Sequence, residues 1–211
     1  MDSILELYRL ITSPEQIIQT GGLLLILLII FTENGVFFGF FLPGDTLLFT
    51  TGLLSATGYL NTSIYLLLVT ISGAAIFGSM VGYYFGKKTG DTLFQREDSL
   101  LFKKKYLIAA EAFFKRHGGL ALVMGRFLPI IRTFAPIFAG IAHFEYPKFM
   151  YYNILGAILW VFSMLLSGFF IGMFIPNSKD YLEYLILGIV IITWIPVILT
   201  YLKERKKMKQ K

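Results

Sequence analysis

Apolar residues form long tracts along this chain, and short polar or helix-breaking stretches separate them. A helix needs about 20 apolar residues to cross a hydrocarbon core of ~30 Å, so tracts of that length predict membrane-spanning helices. We predict spans at 63–86, 149–175 and 182–202, and a shorter first span at 17–33. The predicted fold class is an all-α integral membrane protein.

One of these spans carries a stripe of small residues. Gly78, Gly82 and Gly86 recur at every fourth position of the tract 63–86, so they share one face of a helix. Small residues let two helix backbones approach closely in a membrane. The stripe therefore predicts a packing face for another helix.

Two further apolar tracts are broken near their middle by residues that oppose a straight helix. The breaks are Pro43 and Gly44 in the first tract, and Pro129 and Pro136 in the second. Proline lacks an N–H and glycine favours non-helical dihedrals. Since half of the hydrocarbon core takes about ten residues, the first break of each tract falls near half depth. We predict two re-entrant hairpins, at 36–58 and 120–142.

Two basic segments orient these elements relative to the membrane. Residues 87–116 contain eight Lys or Arg, residues 99–117 have the apolar spacing of an amphipathic helix, and the tail 203–211 contains six Lys or Arg. Because Lys and Arg are enriched in cytoplasmic segments, both termini are predicted to be cytoplasmic. The two hairpins then enter from opposite sides, as in an inverted-repeat transporter. All of 1–211 forms one predicted membrane domain.

Composition narrows the function classes. The chain is 56% hydrophobic and 15% charged, whereas a soluble domain has about 25% charged residues. The net charge is +6, and the basic residues cluster beside apolar spans. This placement favours contact with anionic lipid head groups over nucleic acid. Cysteine is absent and no histidine–carboxylate cluster has ligand spacing, so we expect no metal and no cofactor. The N-terminal residues lack a basic region and a small-residue cleavage site, so we expect no cleaved signal peptide.

Four charged residues interrupt the apolar tracts, although each costs roughly 2.5–3.5 kcal/mol at the centre of a bilayer. Arg126 and Arg132 lie about 240° apart around a regular helix, but the break at Pro129 allows them to converge. Two guanidinium groups near helix N-termini are suited to a phosphate. We predict that both arginines bind a substrate phosphate.

The other two charges are the carboxylates of Glu33 and Asp45, on either side of the first break. They are candidates for proton binding that couples or gates transport, and Asn34 is a candidate hydrogen-bonding neighbour. The alternatives are structural ion pairs with the arginines, an interfacial position for Glu33, and helix capping by Asp45. A mixed role is also possible, in which the carboxylates hold the arginines until substrate displaces them.

Five sequence blocks resemble the DedA family of SNARE-associated/VTT-domain membrane proteins. They are FTENGVFFGFFLPGDTLLFTTG, GYYFGKKTG, AEAFFKRHGG, GRFLPIIRTFAPIFAGI and YYNILGAILW. The resemblance implies a translocase that returns undecaprenyl phosphate across the bacterial cytoplasmic membrane for cell-wall synthesis, with dependence on the proton-motive force. It places the family's acidic pair on Glu33 and Asp45, and its arginine pair on Arg126 and Arg132. The chain departs from many relatives at His143 and its two neighbours, where a basic residue is common.

We therefore expect a proton-linked lipid carrier translocase in the bacterial cytoplasmic membrane, and not an enzyme. A scramblase of phospholipids such as phosphatidylethanolamine is the alternative within transport. A membrane lipid phosphatase would need a catalytic histidine within the membrane. Neither His117 nor His143 has the neighbouring residues of a phosphatase motif. A scaffolding protein would tolerate neutralisation of the four charges. The sequence leaves the oligomeric state open.

Overall fold

A computed structural model describes residues 14–60, 62–94, 116, 118–174 and 188. Within these residues the protein is helical and contains no strand. The six α-helices of this described part are α1 (Pro14–Gly35), α2 (Gly44–Ala56), α3 (Ile64–Phe94), α4 (Leu120–Gly125), α5 (Pro129–Ile141) and α6 (Tyr146–Phe174). Apart from residues 116 and 188, the predicted amphipathic segment at 99–117, the span at 182–202 and the tail at 203–211 lie outside the described residues.

Two helices in the described part of the chain are long and apolar enough to cross a membrane. They cover Ile64–Gly90 in α3 and the whole of α6, where the sequence predicted spans at 63–86 and 149–175. Both helices expose large apolar side chains, such as Tyr65 and Val69 on α3 and Phe174 on α6. Outward-facing apolar side chains are suited to contact with lipid.

The first predicted hairpin contains a break where the sequence placed it. Helix α1, which is kinked at Gly22 (φ +52°), ends at Gly35. A 3-10 turn over Gly39–Phe41 follows, and α2 begins after Pro43. Leu42 is extended because the residue before a proline disfavours helical dihedrals. The chain thus passes through a short turn before a buried helix of 13 residues.

The second predicted hairpin has the same pattern, in which a short helical segment precedes a longer helix. Helix α4 has 6 residues, Leu128 is extended, and Pro129 occupies the first turn of the 13-residue helix α5. Pro129 fits there because the first helical N–H groups have no intrahelical partner. The predicted break at Pro136 is wrong, since α5 continues through it to Ile141. Pro136 removes one N–H, and membrane helices tolerate such a loss when neighbouring groups compensate.

The two 13-residue helices pack against the two long helices in a reciprocal way. Helix α2 lies against α6, where Gly52 faces the backbone at Leu165 and Gly168 faces the backbone at Phe49. A Cβ on either glycine would overlap a carbonyl oxygen of the opposite helix. The two backbones are therefore in direct contact at this crossing.

Helix α5 makes the matching contact with α3. A Cβ at Gly86 would overlap the carbonyl of Ile137, and a Cβ at Gly140 would overlap the carbonyl of Tyr83. Gly78 faces the backbone of α1 at Phe31 in the same manner. The predicted packing role of the glycine stripe is confirmed, and the stripe serves two neighbouring helices.

Candidate functional site

Arg132, on the second turn of α5, stands at the centre of a buried ion cluster. Its Nη1 donates to Asp45 Oδ1 at 2.6 Å, and its Nη2 donates to Glu33 Oε1. Glu33 lies on the last turn of α1, and Asp45 lies on the first turn of α2. The ends of three helices thus bring two carboxylates onto one guanidinium, with Arg132 only 2% and Glu33 only 1% exposed.

The carboxylate of Glu33 also lies against the start of α2. A Cβ built on Gly44 would overlap Glu33 Oε2, so a side chain at this position would displace the carboxylate. Gly44 was predicted only as a break in the helix. The structure shows a second reason for glycine here, which is close approach of a charged group to a helix N-terminus.

Trp160 of α6 completes the ion cluster. Its indole Nε1 donates to Asp45 Oδ1 at 2.8 Å, and the centroid of its ring lies 4.3 Å from Arg132 Cζ. Trp160 is fully buried, and sequence analysis assigned it no role beyond its place in a span. The available signal was its position inside an apolar span. Tryptophan is enriched at membrane interfaces, so a tryptophan inside a span is unusual.

Trp160→Phe is expected to weaken the ion cluster moderately. Phenylalanine keeps an aromatic face for the guanidinium of Arg132 but removes the donor to Asp45, and a hydrogen bond to a charged group contributes about 1.5–3 kcal/mol. Thermal unfolding of the purified protein should therefore show a lower Tm. Trp160→Leu, which also removes the cation–π contact, should lower the Tm further. Equal Tm values for Trp160→Phe and the wild type would contradict the role of the indole donor.

Arg126 has a different environment, although it is also buried, with 3% exposure. Its Nη1 donates to Asn34 Oδ1 at 3.3 Å, and its Nη2 donates to Ser79 Oγ at 2.8 Å and to Asn153 Oδ1. We call Asn34, Ser79 and Asn153 the neutral cage. Among the described residues no carboxylate forms an ion pair with Arg126.

The ion cluster and the neutral cage are adjacent. Arg132 Nη1 also donates to the backbone carbonyl of Arg126 at 3.4 Å, and Thr133 Oγ1 donates to the carbonyl of Glu33 at 2.9 Å. The break before Pro129 therefore brings the two arginines into one buried region, but their side chains have separate partners.

These contacts bear on the structural alternatives for the two carboxylates. Glu33 is buried and pairs with Arg132, as the ion-pair alternative expects. Asp45 pairs with Arg132 and accepts a hydrogen bond from Trp160 Nε1. The expected hydrogen-bonding role of Asn34 is confirmed by its contact with Arg126.

Sequence analysis missed Ser79, Asn153 and Thr133. Each is a single polar residue in an apolar stretch, and such residues often hydrogen-bond between membrane helices. Within the described part of the chain, no group of three or more His, Asp or Glu side chains is placed to hold a metal ion. His143, in the departure from the family pattern, is exposed just after α5.

Comparison with known proteins assigns the chain to a family. The VTT domain matches residues 42–170. Protein DedA of Escherichia coli K12 is 37% identical over 182 residues, which is 86% of this chain and 83% of that protein. An uncharacterized membrane protein of Mycobacterium leprae is 37% identical over 186 residues, or 88% of this chain and 82% of the relative.

A more distant relative is the inner membrane protein YqjA of Escherichia coli K12. It is 32% identical over 166 residues, which is 78% of this chain and 73% of that protein. No solved structure matches the chain. The family match and the extent of these similarities show that the chain belongs to the DedA family of VTT-domain membrane proteins.

Proposed function

We propose that the protein moves a lipid with a phosphate head group, undecaprenyl phosphate, across the bacterial cytoplasmic membrane. The observation that carries this proposal is the state of Arg126, a buried cation whose hydrogen-bond partners among the described residues are neutral oxygens, next to Arg132 in a carboxylate cluster. Buried charges are normally paired. A buried guanidinium with neutral partners is therefore suited to a transient anionic ligand, and phosphate matches its planar donors.

The ion cluster would supply the link to protons. Glu33 and Asp45 neutralise Arg132 while both carboxylates are ionised. Protonation of the carboxylates removes their attraction for the guanidinium, so Arg132 becomes available to a phosphate. Loss of the protons restores the ion pairs and favours release of the lipid.

The membrane arrangement is part of the same proposal. The reciprocal packing of α2 on α6 and of α5 on α3 supports an inverted repeat with two opposed re-entrant hairpins. Both termini are cytoplasmic in this arrangement, and the basic segments contact anionic lipids. The apolar tail of the substrate stays in the bilayer beside the protein, so the protein needs no enzymatic step and no cofactor.

A phospholipid such as phosphatidylethanolamine is the second candidate substrate. The observation in its favour is that the site presents both signs of charge, with Arg126 next to the cluster in which Arg132 pairs with Glu33 and Asp45. A zwitterionic head group would place its phosphate on the arginine and its ammonium on the carboxylates.

Reconstitution in liposomes tests the proposal. The wild-type protein should move labelled undecaprenyl phosphate to the opposite leaflet faster under a pH gradient. Arg126→Ala should slow this movement by more than about tenfold, because it removes the cation of the proposed pair between Arg126 and the lipid phosphate. Truncating one partner of a buried charge pair costs about 2–5 kcal/mol. Glu33→Gln and Asp45→Asn should remove the effect of the pH gradient.

Lys148→Ala provides a matched loss of a cation outside the site. Lys148 pairs with Glu145 on the exposed surface, so its removal should leave transport unchanged. Equal movement of phosphatidylethanolamine by the wild type would favour the second candidate. Absence of lipid movement under every gradient would contradict a transport function.

A further inference from the structure

Within the described residues, the hydrogen-bond partners of the Arg126 side chain come from three different helices, and all of them are neutral. Asn34 lies on α1, Ser79 on α3 and Asn153 on α6. Each contributes one oxygen that accepts a hydrogen bond from the guanidinium. These oxygens use the Nη donors through which a guanidinium would bind a phosphate.

The two arginines therefore differ in how readily they can exchange partners. Arg132 is held by two carboxylates, and separating it from them leaves uncompensated charges in a buried site. Arg126 is held by hydrogen bonds to neutral groups, and a hydrogen bond between two ionised groups is stronger than one with a neutral acceptor. A phosphate can thus displace the neutral cage from Arg126 without breaking an ion pair.

Asn153 has a fixed orientation within the cage. Its Nδ2 donates to the carbonyl of Ile76 on α3 at 3.2 Å. Because that nitrogen faces a carbonyl, the amide oxygen faces Arg126. An aspartate here would place a permanent negative charge on the guanidinium, and the asparagine does not.

The charged groups around Arg126 in the described residues all belong to the ion cluster. Arg132 lies on α5, Glu33 on α1 and Asp45 on α2. Helices α3 and α6 contribute only the neutral contacts of Ser79 and Asn153. The charge at position 153 therefore decides whether Arg126 has a counterion of its own.

We infer that the neutral cage keeps Arg126 available to the phosphate monoester of the lipid, and that the neutrality of Asn153, whose oxygen the phosphate displaces, is required for this binding. The inference rests on the proposed function and deepens it. It assigns the initial capture of the head group to Arg126, while Arg132 stays with its carboxylates until they are protonated.

Binding of tritiated farnesyl phosphate to the full-length protein in detergent micelles at pH 7.5 tests the inference. Farnesol, which has the same tail without the phosphate, gives the background from apolar partitioning. Asn153→Asp should weaken phosphate-dependent binding by at least about tenfold, because the ligand must break a buried ion pair. Asn153→Ala should remain within about threefold of the wild type, since it removes one displaced oxygen and adds no charge.

Equal weakening by Asn153→Asp and Asn153→Ala would overturn the inference, because the side chain would then act as a structural support. Unchanged binding in Asn153→Asp would also overturn it, since Arg126 would not hold the phosphate. If Asn153→Asp fails to accumulate, Asn34→Asp and Asn34→Ala provide the same comparison from α1. Wild-type binding no better than with farnesol would instead refute the proposed phosphate site, and the inference with it.

Discussion

Replacing Arg132 with alanine is expected to destabilise the protein severely and to abolish transport. The substitution leaves Glu33 and Asp45 as two buried carboxylates without their shared cation. Breaking a buried ion pair by removing one partner costs about 3–5 kcal/mol. For a chain of this size, this corresponds to a Tm lower by about 6–20 °C. Thermal unfolding of the purified protein in detergent measures the change directly.

Two further variants separate the loss of the ion pair from the loss of a side chain. The first is the triple variant Arg132→Gln, Glu33→Gln and Asp45→Asn, in which all three charges are neutralised. Its Tm should recover much of the loss seen in Arg132→Ala, but it should not transport lipid. Arg126→Ala should lower the Tm less than Arg132→Ala, because the groups that lose a partner in the described part of the chain are neutral oxygens. An Arg132→Ala protein as stable as Arg126→Ala would contradict the ion cluster described above.

The sequence predicted the existence of this site because its physical signal is strong. Charges in apolar tracts are costly, so Glu33, Asp45, Arg126 and Arg132 were recognisable without a structure. The breaks at Pro43 and Pro129 were equally recognisable, since proline cannot donate to a helix and restricts the residue before it.

The pairing within the site was not predictable from the sequence. Which arginine meets the carboxylates depends on how α5 is rotated after its break, and spacing along the chain does not define that rotation. Ser79 and Asn153 lie far from Arg126 in sequence, and their contacts with it depend on how α3 and α6 pack in the folded protein. Trp160 likewise meets Asp45 only through the crossing of α2 and α6.

Pro136 illustrates a limit of reasoning from single residues. Proline in a helix interior removes one hydrogen bond, and sequence analysis treated it as a break. In the structure α5 continues through Pro136, and Gly140 of α5 packs on the backbone of α3. Tertiary packing therefore outweighed the local preference.

Valine at Gly86 or Gly168 is expected to prevent correct folding. Gly86 lies at the crossing of α3 and α5, and Gly168 lies at the crossing of α6 and α2. Overpacking costs about 1–3 kcal/mol where side chains can yield. Here the obstructing atoms are backbone carbonyls of Ile137 and Phe49, so the helices must separate and the cost should reach or exceed the upper end of that range.

Gly73→Val is the matched control on α3, because a Cβ at Gly73 meets no heavy atom within 4 Å among the described residues. Size-exclusion chromatography after detergent extraction should show a monodisperse peak for the wild type and Gly73→Val, and little folded protein for Gly86→Val and Gly168→Val. Both crossings hold a helix that carries part of the ion cluster, Arg132 on α5 and Asp45 on α2. A Gly86→Val protein that folded as well as Gly73→Val would mean that α5 need not pack closely on α3, and the position of Arg132 would then require another explanation.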